Sequence, residues 1–338
     1  MAARYPSALA VCQSCLVSFP FDTLVWAFYD PRAMGDSLIS WRAVVMVLVG
    51  CCSAIACDRR TSLTISAPHG PRVASLVPAA TDMLLGMGAG DHLVAVSNYE
   101  TSPRVARLPR VGDYQTTDWE TLARLRPDAM IIQIAPDRVP PGLKQRADEL
   151  HIALVNVKID RLEDVFATMH QLGKVAGEAD KARGAADKLR RELDELKTRC
   201  ATQPSISTLL VRDENGSDVI GPDNFLDDLL KIVNATNAAG SLGHPYPSID
   251  REKLISLAPE AVIVLLPGAK PQTVEVSRRF WASMTRVPAV QAGRVSTLTQ
   301  DYALVPGARL ADLARDMARC LRPEGKSKTR TTAQETAR

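Results

Sequence analysis

The sequence lacks the marks of several protein classes. Seven cysteines in 338 residues are too few for a disulfide scaffold. No apolar run reaches the roughly 18 residues of a membrane-spanning helix; the longest, 43–56, has fourteen. Neither sign of charge prevails, with 41 Lys and Arg against 38 Asp and Glu. The net +3 is the excess held by the last stretch, where Arg322, Lys326, Lys328, Arg330 and Arg338 face Glu324 and Glu335. The remainder is neutral, which argues against a nucleic-acid-binding body, and residues 322–338 read as a disordered basic tail. A Gly-x-Ser-x-Gly elbow, a His-Glu-x-x-His pair and a phosphate loop are all missing, so no enzyme is expected. The histidines, His69, His92, His151, His170 and His244, are too scattered to converge on a free metal ion. What is present is 46% hydrophobic and 23% charged residues, enough to bury a core, in a length suited to about two domains.

The first 57 residues carry five of the cysteines: Cys12, Cys15, Cys51, Cys52 and Cys57. Run 43–56, after Trp41 and Arg42, has the length of a signal-peptide hydrophobic region, with a buried helix or uncleaved anchor as the alternative. It contains Leu48-Val49-Gly50-Cys51, which resembles the bacterial lipobox and makes Cys51 the expected lipidation site. Ala54-Ile55-Ala56-Cys57 is the second candidate, with alanine at the preferred leucine position. Residues 1–33 lack the charged start of a leader, and translation is expected to begin at Met34. Cys12 and Cys15 have no second pair to complete a metal site. The expectation is a leader over 1–57, a polar tether over 58–70 and a body outside the membrane.

From residue 72 onward short β-rich runs alternate with helical patterns. Strands are predicted at 73–77, 93–96, 130–134 and 152–157, with helices at 80–87, 119–125 and 143–150 between them. A second set places strands at 208–211, 262–266 and 295–298 and helices at 225–233, 252–257 and 310–321. Between the sets, 161–199 has no proline. There Leu162, Val165, Phe166, Met169, Leu172 and Val175 recur at helical spacing, and Leu189, Leu193 and Leu196 resume it, predicting one long helix or two in succession. The fold class is α/β: two Rossmann-like parallel-sheet lobes, 71–158 and 200–321, joined by a helical bridge over 159–199, with a cleft between them.

An internal repeat supports the two-lobed plan. Tyr114, Asp118, Glu120, Leu122, Leu125, Pro127, Asp128, Ala129 and Ile131 are matched, each 132 residues on, by Tyr246, Asp250, Glu252, Leu254, Leu257, Pro259, Glu260, Ala261 and Ile263. Each copy reads as a loop, an acidic N-cap, a short helix, a proline–acid turn and a buried strand.

Several blocks carry a family resemblance. They are Arg72 to Asp82 followed by Leu93 to Tyr99, then Val111-Gly112-Asp113-Tyr114, Gly221-Pro222-Asp223-Asn224-Phe225-Leu226, and Arg294-Val295-Ser296. In this order, behind a lipobox, the chain resembles the helical-backbone class of bacterial substrate-binding proteins over residues 71–321. That class serves ABC importers of cobalamin, haem and iron–siderophore chelates. The resemblance implies binding without turnover, no prosthetic group, and a metal chelate as cargo, cobalamin or a related corrinoid first. It also implies a permease dimer and its ATPase as partners, a monomer, and a lipid-anchored periplasmic or cell-surface location. Position by position it places Tyr99 and Tyr114 on one side of the cleft, Tyr246 on the other, and Asp301 near the last strand. Aromatic rings from two lobes suit a chelate with apolar faces and a polar rim. At 114 and 246 this chain has tyrosine where the cobalamin-binding members tend to have tryptophan, and no basic residue closely follows Asp301. His244 is a candidate axial ligand to a chelated metal. Glu120 and Glu252 match the exposed acids that dock into arginine-bearing pockets of the permease.

Overall fold

The computed structural model describes residues 70–323. The leader with Cys51 and Cys57, the Met34 start, the tether up to residue 69 and all but the first two residues of the tail lie outside the described residues. Lobe one runs β1 (Val73–Ser75), α1 (Pro78–Gly86), β2 (Leu93–Val96), α2 (Trp119–Leu125), β3 (Ala129–Ile132), α3 (Pro141–Glu149) and β4 (Ala153–Asn156). Two helices follow, α4 (Leu162–Val175) and α5 (Ala179–Ala201), separated at Gly177, whose φ of 73° ends the first. Lobe two runs β5 (Ile206–Val211), α6 (Phe225–Ile232), β6 (Ala235–Asn237), α7 (Arg251–Leu257), β7 (Ala261–Leu265), α8 (Pro271–Ser283), α9 (Pro288–Gln291), β8 (Val295–Leu298) and α10 (Leu310–Leu321).

Each lobe is one parallel four-stranded sheet, and the two have the same strand order, β2-β1-β3-β4 and β6-β5-β7-β8. The 132-residue repeat has a physical counterpart at every step. Asp118 caps α2 by accepting from the Thr121 N–H, and Asp250 caps α7 by accepting from that of Lys253. Both helices end on a left-handed residue, Arg126 at φ 47° and Ala258 at φ 44°. Leu122 and Leu254 are buried in equivalent places. The acids at the turn then tie each lobe's first strand: Asp128 accepts from the Arg72 N–H and Glu260 from that of Ser207.

Alternation along the strands divides the core. Val73, Ile131, Leu210, Ile263 and Leu265 point to one side of their sheets and join a single cluster with α1, α4, α5, α6 and α10. Their neighbours Ala74, Met130 and Ile132 fill the outer face of lobe one, and Leu209, Val211, Val262 and Val264 that of lobe two. The lobes therefore do not own separate inner cores. Each fully buried leucine or isoleucine contributes about 2 kcal/mol, so the shared cluster outweighs any ion pair between the lobes.

Polar ties set the lobes' register on this floor. Arg161, at the entry to α4, donates to both carboxylate oxygens of Asp228 on α6, at 2.9 and 2.6 Å, and to Asp223 at 2.9 Å. Burial opposes the Asp228 charge, but the Arg161 bonds and the Leu162 N–H hold its carboxyl below the usual carboxylate range. A second tie is steric. A Cβ on Gly307 would lie 2.2 Å from Asp82 Oδ2, and one on Gly86 would lie 2.1 Å from the Ala308 Cβ. Glycine at both places lets the segment after β8 close onto α1.

Two expectations follow. A depressed carboxylate stabilises above its ordinary value and stops doing so as pH falls through its folded value. Asp228→Asn should cost about 1 kcal/mol in urea unfolding at pH 7, and the difference from the parent should shrink as pH falls below the ordinary carboxylate range. The shared core also restricts hinge motion, so X-ray scattering curves with and without cargo should superimpose, and a marked compaction would refute the restriction.

Candidate functional site

A cavity of about 570 Å3 lies between the lobes, within the range of small-molecule sites. Lobe one lines it with Val77, Asp82, Tyr99 and Glu100, and lobe two with Phe225, Tyr246, Asp301 and Arg309, among others.

Tyr99 stands on the loop after β2. Its N–H donates to the buried Ser97 hydroxyl at 3.2 Å, and Arg110 braces the loop by donating to the carbonyl oxygens of Ser97, Asn98 and Glu100. Tyr246 is positioned from the other lobe by the 221–226 block. Asn224 caps α6, accepting from the N–H groups of Leu226 and Asp227, while its amide donates to the carbonyls of Gly221 and Pro245. Gly221 in turn donates to Pro245, and a Cβ there would lie 1.9 Å from the His244 carbonyl oxygen. The loop bearing Tyr246 is thus pressed against a glycine that nothing larger could replace. Arg212 lies over the Tyr246 ring at 4.6 Å. Burial pushes the Tyr246 phenol above its usual range, with Arg212 pulling the other way.

Charge at the base of the cavity centres on Arg309, at the entry to α10. It donates to Asp82 at 2.6 Å and to both oxygens of Asp301 at 2.8 and 3.0 Å, and lies 4.9 Å from the centre of the Tyr302 ring. Burial works against its charge, and the bonds to Asp301 and Asp82 more than offset that. Tyr302 is itself anchored by donating to Asp316 at 2.8 Å, and burial with this bond pushes its hydroxyl up to about 12.

Of the residues singled out in the sequence, Tyr99, Tyr246 and Asp301 line the cavity together. Tyr114 and His244 are not among its lining residues. Tyr114 sits on a turn closed by Asp113, whose Oδ1 accepts from the N–H groups of Gln115 and Thr116. The Thr116 N–H, against slight burial, holds the Asp113 carboxyl below the usual range, and the Tyr99 hydroxyl adds to this, so Tyr114's turn adjoins Tyr99. His244 is exposed. Glu120 and Glu252 are exposed in the first turns of α2 and α7, away from the cavity. Among the described residues no three His, Cys, Asp or Glu side chains are grouped to hold a metal ion, and none of the helices is long and apolar enough to cross a membrane. Cys200 and Cys320 are free thiols, the first buried and the second half-buried.

Sequence reasoning missed Arg309, Asp82, Glu100 and Phe225. The resemblance puts a basic residue close after Asp301, but 302–308 detour against α1, and Arg309 returns eight positions on. Asp82 and Phe225 lay inside the family-like blocks, which were read for fold alone.

The family model described as "Periplasmic binding protein" matches residues 73–302. A vitamin B12-binding protein of Vibrio parahaemolyticus is 26% identical over 250 residues, covering 74% of this chain and 88% of that protein. An uncharacterised ABC transporter substrate-binding lipoprotein of Bacillus subtilis is 24% identical over 259 residues, 75% of this chain and 80% of its own length. A solved periplasmic heme-binding protein of Pseudomonas aeruginosa shares the fold, with a TM-score of 0.64, 23% identity, and coverage of 76% of this chain and 94% of that one. Two parallel-sheet lobes on a helical floor, a cleft between them and a family match over most of the body agree: the chain belongs to the periplasmic binding proteins, extracytoplasmic substrate-binding proteins of ABC transporters and not enzymes.

Proposed function

We propose that this protein captures cobalamin or a related corrinoid outside the cytoplasmic membrane and delivers it to an ABC permease dimer. One observation carries the reading. Tyr99 and Tyr246, from opposite lobes, line the same cavity while remaining 68% and 45% exposed, in a protein that buries most of its large apolar side chains. Two rings so placed can take the faces of a bulky chelate with little rotamer entropy to lose. The vitamin B12-binding relatives support the corrinoid, and the heme-binding neighbour keeps haem, with ferric siderophores, as the second reading. The lipobox proposes Cys51, with Cys57 second, as the anchor that holds the monomer at the membrane.

Delivery assigns a separate role to the exposed acids. Glu120 and Glu252 occupy equivalent positions of the two repeats, each one residue into its helix, which suits a two-fold permease presenting cationic pockets.

Titration calorimetry of the purified chain with cyanocobalamin should give one-to-one binding, weakened at least tenfold by each of Tyr99→Ala and Tyr246→Ala. Silence toward cyanocobalamin with binding of haemin would move the cargo to the second reading. Glu120→Ala with Glu252→Ala should leave that affinity unchanged and abolish uptake in cells, and a loss of binding by the purified double variant would contradict the docking role.

A further inference from the structure

The cavity's charged lining is unbalanced. Asp82, Glu100 and Asp301 stand against Arg309 alone, a formal excess of two negative charges. Arg309 is already engaged by Asp82 and by both oxygens of Asp301. Asp82 Oδ2 is buried without a hydrogen-bond partner, but its carboxylate is already paired with Arg309 and lies against Gly307, whereas Glu100 has no cationic partner among the described residues. Glu100 is only 6% exposed, its Oε1 accepts from the Ser102 N–H at 2.8 Å, and its Oε2 is also buried without a hydrogen-bond partner. Arg110, on the same side, donates to the Glu100 carbonyl oxygen and not to the carboxylate. A buried carboxylate oxygen left unsatisfied is costly, and the cost is recovered when a bound molecule brings a donor to it. A second carboxylate brought there would meet like charge in a site from which cargo excludes water.

We infer that Glu100 selects cargo by charge, admitting chelates whose rim carries amide, amine or other N–H donors, neutral or cationic, and rejecting chelates rimmed by carboxylates or carrying net negative charge. This rests on the chelate-binding reading above and narrows it. A corrin with an amide rim satisfies it, and so does a cationic ferric hydroxamate. Haemin, with two carboxylates, does not. Nor does a ferric tris-catecholate, with three negative charges. Glu100→Gln is the informative change, because the amide oxygen can still accept from Ser102 while the amide nitrogen replaces Oε2. The acceptor at Oε2 becomes a donor with no change of size.

The test is calorimetry of the full chain against four probes: cyanocobalamin, ferrioxamine B, haemin and ferric enterobactin. The expected result is that cyanocobalamin or ferrioxamine B binds at least about a hundredfold more tightly than either anionic probe, and that Glu100→Gln narrows the ratio by roughly tenfold or more. Ferrioxamine B bound in place of cyanocobalamin would remove the corrinoid and uphold the charge selection. Cyanocobalamin bound no more tightly than haemin would uphold the chelate-binding reading and overturn the selection, as would a ratio that Glu100→Gln leaves unchanged. No binding of any probe would overturn both. A thermal melt checks that the variant folds; where it does not, the ranking given by the unaltered chain decides.

Discussion

Every other feature depends on the apolar floor that the two lobes hold in common. α1 and the inner face of one sheet, α6 and the inner face of the other, and α4, α5 and α10 form one cluster with no seam between lobes. A site between independent domains would have to be assembled by closure. Here the opposing walls are held at a set distance by hydrophobic burial, which is non-directional and large, while directional bonds such as Arg161–Asp228 and Arg309–Asp82 decide which register is adopted.

The site follows the same division of labour. Aromatic rings and aliphatic residues make up most of the cavity wall, and a few fixed charges stand among them. Arg309 is neutralised by its own neighbours, whereas the carboxylate of Glu100 has no cationic partner among the described residues. Its loop is braced by Arg110 through three carbonyls, which fixes the backbone that carries it.

Much of the fold was legible because burial wrote a period into the chain. β2, α2, β8 and α10 run over the residues their patterns predicted, and the repeat reappears as matched caps, turns and strands. The bridge proved to be two helices at the glycine-spotted break. What escaped detection has little apolar signal: β6 is three residues long, and α8 buries only Ser277 and Trp281. In the site, Tyr246 and Tyr114 hold equivalent positions in the repeat yet different fates. Tyr246 rides a loop pressed against Gly221, whereas Tyr114 rides a turn that closes on its own Asp113 side chain. Glu100 gave no local sign, because burial of a polar group on a loop is settled by tertiary packing.

The floor also joins the two ends of the body. Val73 opens the described core, while Leu310, Leu313 and Met317 complete it from near the other end of the chain. During synthesis both sheets can pair before α10 has emerged, but the surface beneath them stays uncovered until it arrives. A chain that stopped before Leu310 would leave the apolar faces that α10 covers exposed, the kind of surface that chaperones and proteases recognise. α10 is therefore the element whose arrival closes the underside of the described body.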